Sequence, residues 1–259
     1  MEKARPASLA SSDTVRVTNP GGSSPFVLTC DHASNFLPAE FGTLGLAAED
    51  LSRHIAWDPG ALPVATRMAQ ALDATLVETR ISRLVIDCNR LPEWETAIPA
   101  VSEATAIPGN VGIAPSERED RRQEIFQPYH DRIAELLDAR AAAGRRTVLV
   151  AMHSFTPVFK GVARSVEVGV LYNPSARDIR LPRIMLELLR AEGDLAVGDN
   201  QPYAITGSSD YTVPVHGEAR GLPHVEIEIR QDLIRDAAGQ GAWAARLARL
   251  LPLAAAGLR

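Results

Sequence analysis

The chain has 259 residues, of which 46% are hydrophobic and 23% charged, enough apolar material for a sizeable core. Its formal net charge of −5 excludes the concentrated positive field that a nucleic-acid partner requires. No stretch approaches the about 18 consecutive apolar residues of a membrane span, and the N-terminus lacks the apolar run of a signal peptide, so a cytoplasmic protein with no membrane partner is expected.

Residues 1–24 are rich in Ser, Pro and Gly and are expected to form a flexible arm before a single α/β domain over 25–259. Phe26 to Cys30, FVLTC, is short, apolar and β-branched, the pattern of a strand covered on both faces. After the Asp58-Pro59-Gly60 turn, ALPVATRMAQALD fits a helix, and TLVET and RLVIDCNR read as two further strands. A long helix is expected from Ser116, with Ser116 and Glu119 as a capping box and Pro128 as a kink. Gly144 ends it, and TVLVAM at 147–152 is the clearest buried strand. VEVGVLY gives another strand, LPRIMLELLR a helix closed by Gly193, and HVEIEIR at 224–230 a late strand of period two. A last helix is expected over roughly 241–251. Strands separated by helices imply a largely parallel sheet wrapped on both faces, which places ligands beyond the strand ends.

Polar residues at strand ends are therefore the candidates for chemistry. Of six histidines, only His32 and His153 directly follow strongly apolar strand runs, where an imidazole can hold a metal while its second nitrogen is fixed by a carboxylate. His54 and His130 are expected on the surface or on a helix face. Glu226 and Glu228 share one face of the late strand, opposite Val225, Ile227 and Ile229. The segment from Arg83 to Arg90 sets two arginines beside Asp87 and Asn89, suited either to bidentate capture of a substrate carboxylate or to an ion pair that pins the chain. HExxH, GxSxG, the Walker loop and GxGxxG are all missing. Cys30 and Cys88 read as buried reduced thiols.

The stretches CDHASNFLP (30–38), WDPGA (57–61), SRLVIDCNR (82–90), QPYHDRI (127–133), AMHSFTP (151–157), DNQPY (199–203) and HVEIEIRQDLI (224–234), in this order, resemble the N-formylglutamate amidohydrolase family. The resemblance covers about Phe26 to Leu233. It implies a zinc-exopeptidase-like (phosphorylase/hydrolase-like) fold, a three-layer α/β/α arrangement with a mostly parallel, mixed central sheet. It further implies that His32 and His153 bind metal, that Glu228 is the general base, that Asn89 and Arg90 grip a substrate carboxylate, and that His216 lies in a loop reaching the site. One departure stands out. The carboxypeptidase pattern has a glutamate three residues after the first histidine, and here that residue is Asn35, an amide and a poor ligand for Zn²⁺. Asp58 is the preferred third ligand, with Asp31 and Asn35 as alternatives.

The resemblance implies an amidohydrolase with a Zn²⁺ cofactor, or another divalent metal, acting on a small-molecule N-acyl amino acid. N-formyl-L-glutamate, giving formate and glutamate, is the favoured substrate, with Arg90, Asn89 and Arg83 holding its carboxylate. Another N-acyl amino acid or a small peptide is the alternative substrate, and a non-catalytic metal- or carboxylate-binding module is the alternative class. The oligomeric state is not readable from the chain.

Overall fold

In the computed structural model, which describes residues 11–206 and 210–258, the apolar runs assemble into a seven-stranded mixed sheet. In chain order its strands are β1 (Val15–Thr18), β2 (Phe26–Cys30), β3 (Thr75–Thr79), β4 (Val148–Phe155), β5 (Val168–Leu171), β6 (Val197–Asp199) and β7 (His224–Arg230). Across the sheet the order is β1-β3-β2-β4-β7-β5-β6. The four central strands β3, β2, β4 and β7 are parallel, so their C-terminal ends share one edge. β1 is antiparallel to β3, β5 is antiparallel to β7, and β6 runs parallel to β5.

The period-two alternation divides the core between the two faces. Leu28, Val150 and Ile227 point to one side, where they pack on α1 (Ala61–Leu72), α4 (Arg180–Ala191) and α5 (Ala237–Ala256) through Met68, Leu189 and Leu247. Val27, Val77 and Leu149 point to the other, against Tyr129, Ile133 and Leu137 of α3 (Gln127–Ala142). Each such fully buried aliphatic side chain contributes about 1.5–3 kcal/mol relative to exposure. Helices therefore cover both faces, as expected. Among the described residues no helix is long and apolar enough to cross a membrane.

Several local expectations are corrected. Residues 1–10 of the expected arm lie outside the described residues, but Val15–Thr18 is the edge strand β1, paired from Val15 opposite Thr79 to Thr18 opposite Leu76. RLVIDCNR is not a strand. Its Leu84, Val85 and Ile86 are buried, yet the backbone follows local bonds instead of a ladder: the Leu84 amide donates to Ser82 Oγ at 3.2 Å and the Asn89 amide to Asp87 Oδ1 at 2.8 Å. Buried apolar residues thus read as a strand where they only line the underside of a loop.

The expected capping box is absent. Pro115 occupies the first turn of α2 (Pro115–Arg121) behind Ala114, and Glu119 pairs with Arg122 instead. A π turn, Arg122–Phe126, joins α2 to α3 just ahead of Pro128. Proline lacks the amide and crowds the carbonyl four residues back, and the wider turn absorbs both effects. Finally, α5 extends beyond its expected bounds at both ends, and its earlier start is set by Asp236, whose carboxylate accepts from the Gly239 amide at 2.9 Å.

Candidate active site

The parallel centre of the sheet delivers its polar residues to one edge. His32 follows β2, and Glu228 of β7 lies directly opposite His153 of β4 in the ladder. β4 runs on to Phe155, so His153 sits inside the strand and not after it. Asp58 enters from the turn before α1. Its amide donates to the His32 carbonyl at 2.9 Å, and Gly60 makes the turn with φ +84°, where a Cβ would stand 2.5 Å from the Ile234 carbonyl oxygen.

These residues meet around one carboxylate oxygen. Asp58 Oδ2 lies 3.3 Å from His32 Nδ1 and 2.9 Å from His153 Nδ1. The outer nitrogen of each ring is held by another carboxylate. His32 Nε2 is 2.7 Å from Asp87 Oδ1, and His153 Nε2 is 3.2 Å from Asp31 Oδ2. Those acids are anchored in turn: Arg83 donates to Asp87 Oδ2 through Nε at 3.0 Å and Nη2 at 2.6 Å, and the Tyr129 hydroxyl donates to Asp31. Burial alone would raise the Asp58 pKa, but the two imidazoles outweigh it and hold the carboxyl far below its usual range. Burial likewise opposes charge on both histidines, and the surrounding acids overcome it and raise both.

His32, Asp58 and His153 form a group whose ligand atoms lie within 4.8 Å of one another, so the three could hold a metal ion. The donor set fits a divalent ion: two imidazole nitrogens and one carboxylate oxygen converge, while each ring's other nitrogen is oriented by an acid. Three buried aspartates facing one arginine also leave a surplus of negative charge that a dication offsets. Asn35 is turned away, its amide donating to the Leu51 carbonyl at 2.9 Å. Asp31 stands behind His153 and not among the three converging ligands.

Glu226 and Glu228 project from β7 on the face opposite Val225, Ile227 and Ile229. Burial pushes Glu228 up to about 7 and Glu226 well above the ordinary carboxyl value, and Oε2 of each is buried without a hydrogen-bond partner among the described residues. Both line a cavity of about 450 Å³ shared with His32, Asp58 and His153. Asn89 and Arg90 line it too. The Asn89 carboxamide is engaged on both sides, its oxygen accepting from the amides of Tyr211 and Thr212 at 3.0 Å each and its nitrogen donating to Asp210 at 3.2 Å. Arg90 Nη1 is 3.7 Å from Asp210 Oδ1. Arg83 reaches the cavity from within the histidine and aspartate cluster, Nη1 lying 3.6 Å from Asp58.

His216 is not brought to this cavity. It is buried against His130, rings stacked at 5.2 Å with Nδ1 of His130 3.0 Å from Nε2 of His216, while His130 Nε2 reaches the Cys88 carbonyl at 2.7 Å. His130 therefore lies on a helix face, as one of its two expected placements had it, but on the buried face of α3 and not at the surface. His54, expected at the surface, lines the cavity with its Nε2 3.5 Å from Glu103. Tyr203, Phe159 and Glu103, none of them anticipated, complete the mouth. Glu103 and Phe159 come from two separate two-stranded hairpins and Tyr203 from a loop, and their sequences carry no metal or strand-end signal. The DNQPY motif was the one pointer to Tyr203.

Fold and site together define a class: an α/β protein with a buried pair of histidines, ringed by aspartates, at the C-terminal edge of a mixed sheet. The family model for N-formylglutamate amidohydrolase matches residues 24–235. The chain belongs to that family, and so to the amidohydrolases. A solved gene product of Agrobacterium tumefaciens is 42% identical, with a TM-score of 0.92 over 97% of this chain and 99% of that one. The N-formylglutamate amidohydrolase of Ralstonia eutropha JMP134 has the same fold at 19% identity, with a TM-score of 0.67 over 94% of this chain and 98% of that one. No curated protein matches the chain.

Proposed function

We propose that this protein is a metal-dependent amidohydrolase of N-acyl amino acids, with His32, His153 and Asp58 holding a divalent ion, Zn²⁺ by the character of the donors, and Glu228 as general base. The observation that carries the reading is the convergence of those three ligand atoms beside a buried carboxyl whose Oε2 has no partner among the described residues. A divalent ion at such a site supplies an acidified water and polarisation of the amide carbonyl.

The chain's own residues do the rest. Glu228, poised near neutrality by burial, accepts a proton from the attacking water and returns it to the leaving amine as the C–N bond breaks. Asp31 and Asp87 fix the orientation of the two rings. Arg83 is committed to Asp87 through two nitrogens, which makes it a positioning residue and leaves Arg90 as the anchor for a substrate carboxylate. Asn89 holds Asp210 and the Tyr211–Thr212 amides, and so sets the wall on which Arg90 rests.

The family makes N-formyl-L-glutamate, yielding formate and glutamate, the reference substrate. The test is an assay of purified protein on a panel of N-formyl and N-acetyl amino acids, before chelation, after it, and after Zn²⁺ is restored. The reading expects activity to vanish with the metal and return with it. Hydrolysis indifferent to chelation would overturn it.

A further inference from the structure

We infer that the preferred substrate carries one carboxylate and an apolar side chain, as in the N-formyl derivatives of leucine, methionine or phenylalanine, and that a dicarboxylate such as N-formylglutamate is a poor fit. This rests on the hydrolase reading above and narrows it.

The argument is a charge count around the cavity. N-formylglutamate brings two carboxylates besides the scissile amide, and each needs a donor or cation once removed from water. Two arginines line the cavity. Arg83 is spent, with Nε and Nη2 on Asp87 and Nη1 3.6 Å from Asp58. Arg90 remains, half-buried, its one ion pair among the described residues being with Asp210 at 3.7 Å. His54 is kept neutral by burial and faces Glu103.

Arg53 and Arg164 stand beside lining residues without lining the cavity themselves. Arg53 is committed to Glu103 at 2.9 Å, Asp50 at 2.8 Å and Thr105 at 2.7 Å, and Arg164 is held by aromatic rings. Its guanidinium stands 5.6, 4.8 and 4.8 Å from the ring centres of Phe155, Phe159 and Tyr203, and it donates to the Tyr203 hydroxyl at 2.9 Å. Among the described residues, one carboxylate thus finds a guanidinium and a second does not.

The wall that would receive the side chain is instead apolar, formed by Ile55, Pro99, Val101, Phe159 and Tyr203. Val101 is 59% exposed and Tyr203 41%, so both have apolar surface left to cover. Burying a leucine-sized side chain against such a wall favours it by about tenfold or more. A carboxylate placed there loses its hydration without a donor in return, since Glu103 already holds Arg53 at 2.9 Å and the Lys160 amide at 3.0 Å.

The experiment is kcat/KM of the metal-loaded enzyme for N-formyl-L-leucine, -methionine, -phenylalanine, -glutamine and -glutamate. The expected order puts the apolar substrates about tenfold or more above glutamate, with glutamine, the uncharged isostere, between them. Val101→Arg, which places a cation on the apolar wall, should move the glutamate-to-leucine ratio upward by fivefold or more, on the order of one added ion pair. Turnover with glutamate as the best substrate would overturn the inference while leaving the hydrolase reading intact. Failure of the metal-loaded enzyme on every member would overturn the hydrolase reading itself, and this inference with it.

Discussion

Replacing Glu228 by glutamine keeps the side chain's volume and removes its proton chemistry, and the structure sets two magnitudes for the result. The carboxyl is buried and its Oε2 lacks a partner among the described residues, so burial raises its pKa from 4.5 to about 7 in the metal-free protein. An acid whose pKa is higher folded than unfolded holds its proton more tightly in the native state. Its ionisation therefore subtracts stability as pH rises from about 4.5 to about 7, and the subtraction is complete above that. At 1.36 kcal/mol per unit of pKa the difference comes to roughly 3 kcal/mol.

Metal-free Glu228→Gln should accordingly be more stable than metal-free wild type by roughly 3 kcal/mol at pH 8, and by about 1 kcal/mol or less at pH 5. The same change should lower kcat of the metal-loaded enzyme by at least ~10²-fold, about 3 kcal/mol of transition-state stabilisation. Urea denaturation of chelated protein at the two pH values reads the first quantity, and steady-state kinetics the second. A variant less stable than wild type at pH 8, or one retaining activity within tenfold, would refute the assignment of an unsatisfied buried base.

Asp87→Asn and Asp31→Asn should each weaken metal affinity by about 10–100-fold, measured by competition with a chelating dye, because each removes the acid that orients a ligand ring. Asn35→Ala, acting on a side chain turned toward Leu51, should leave that affinity unchanged. Burial lowers His130 to about 4 and His216 to about 3, so both stay neutral in the folded protein while unfolded histidines protonate near 6.5. Stability should fall as pH drops from about 6.5 toward 4, by up to roughly 3 kcal/mol for His130, and the slope should be shallower in His130→Asn by the same urea assay. Cys30 and Cys88 are free, buried and raised in pKa by burial. A thiol reagent should therefore titrate both only after denaturant is added.

The parts of this fold legible in the sequence are those where local pattern and tertiary role coincide. HVEIEIR becomes β7 with the bounds its alternation predicts, because a strand with one apolar and one polar face has a single register that suits both. His32 and His153 stand out since charged or polar side chains seldom close an apolar run without a task. Asp58 carries no strand or helix signal, as its position depends on the turn before α1 closing over β2. The Arg83–Arg90 segment misleads for the converse reason: buried loops and buried strands share a composition, and only the presence of a sheet neighbour separates them. His216 and His54 exchange their expected places because contact across the sheet edge is settled by loops whose paths no periodicity encodes.

The π turn at Arg122–Phe126 bears on which changes in chain length this architecture tolerates. It carries one residue more than a regular helical turn, and that residue sets the angular phase of everything after it. Tyr129 reaches Asp31 and His130 reaches the Cys88 carbonyl from the first turn of α3. Loss of a single residue from the wide turn would swing both by about 100° around the helix axis and uncouple the ring of His153 from its distant brace.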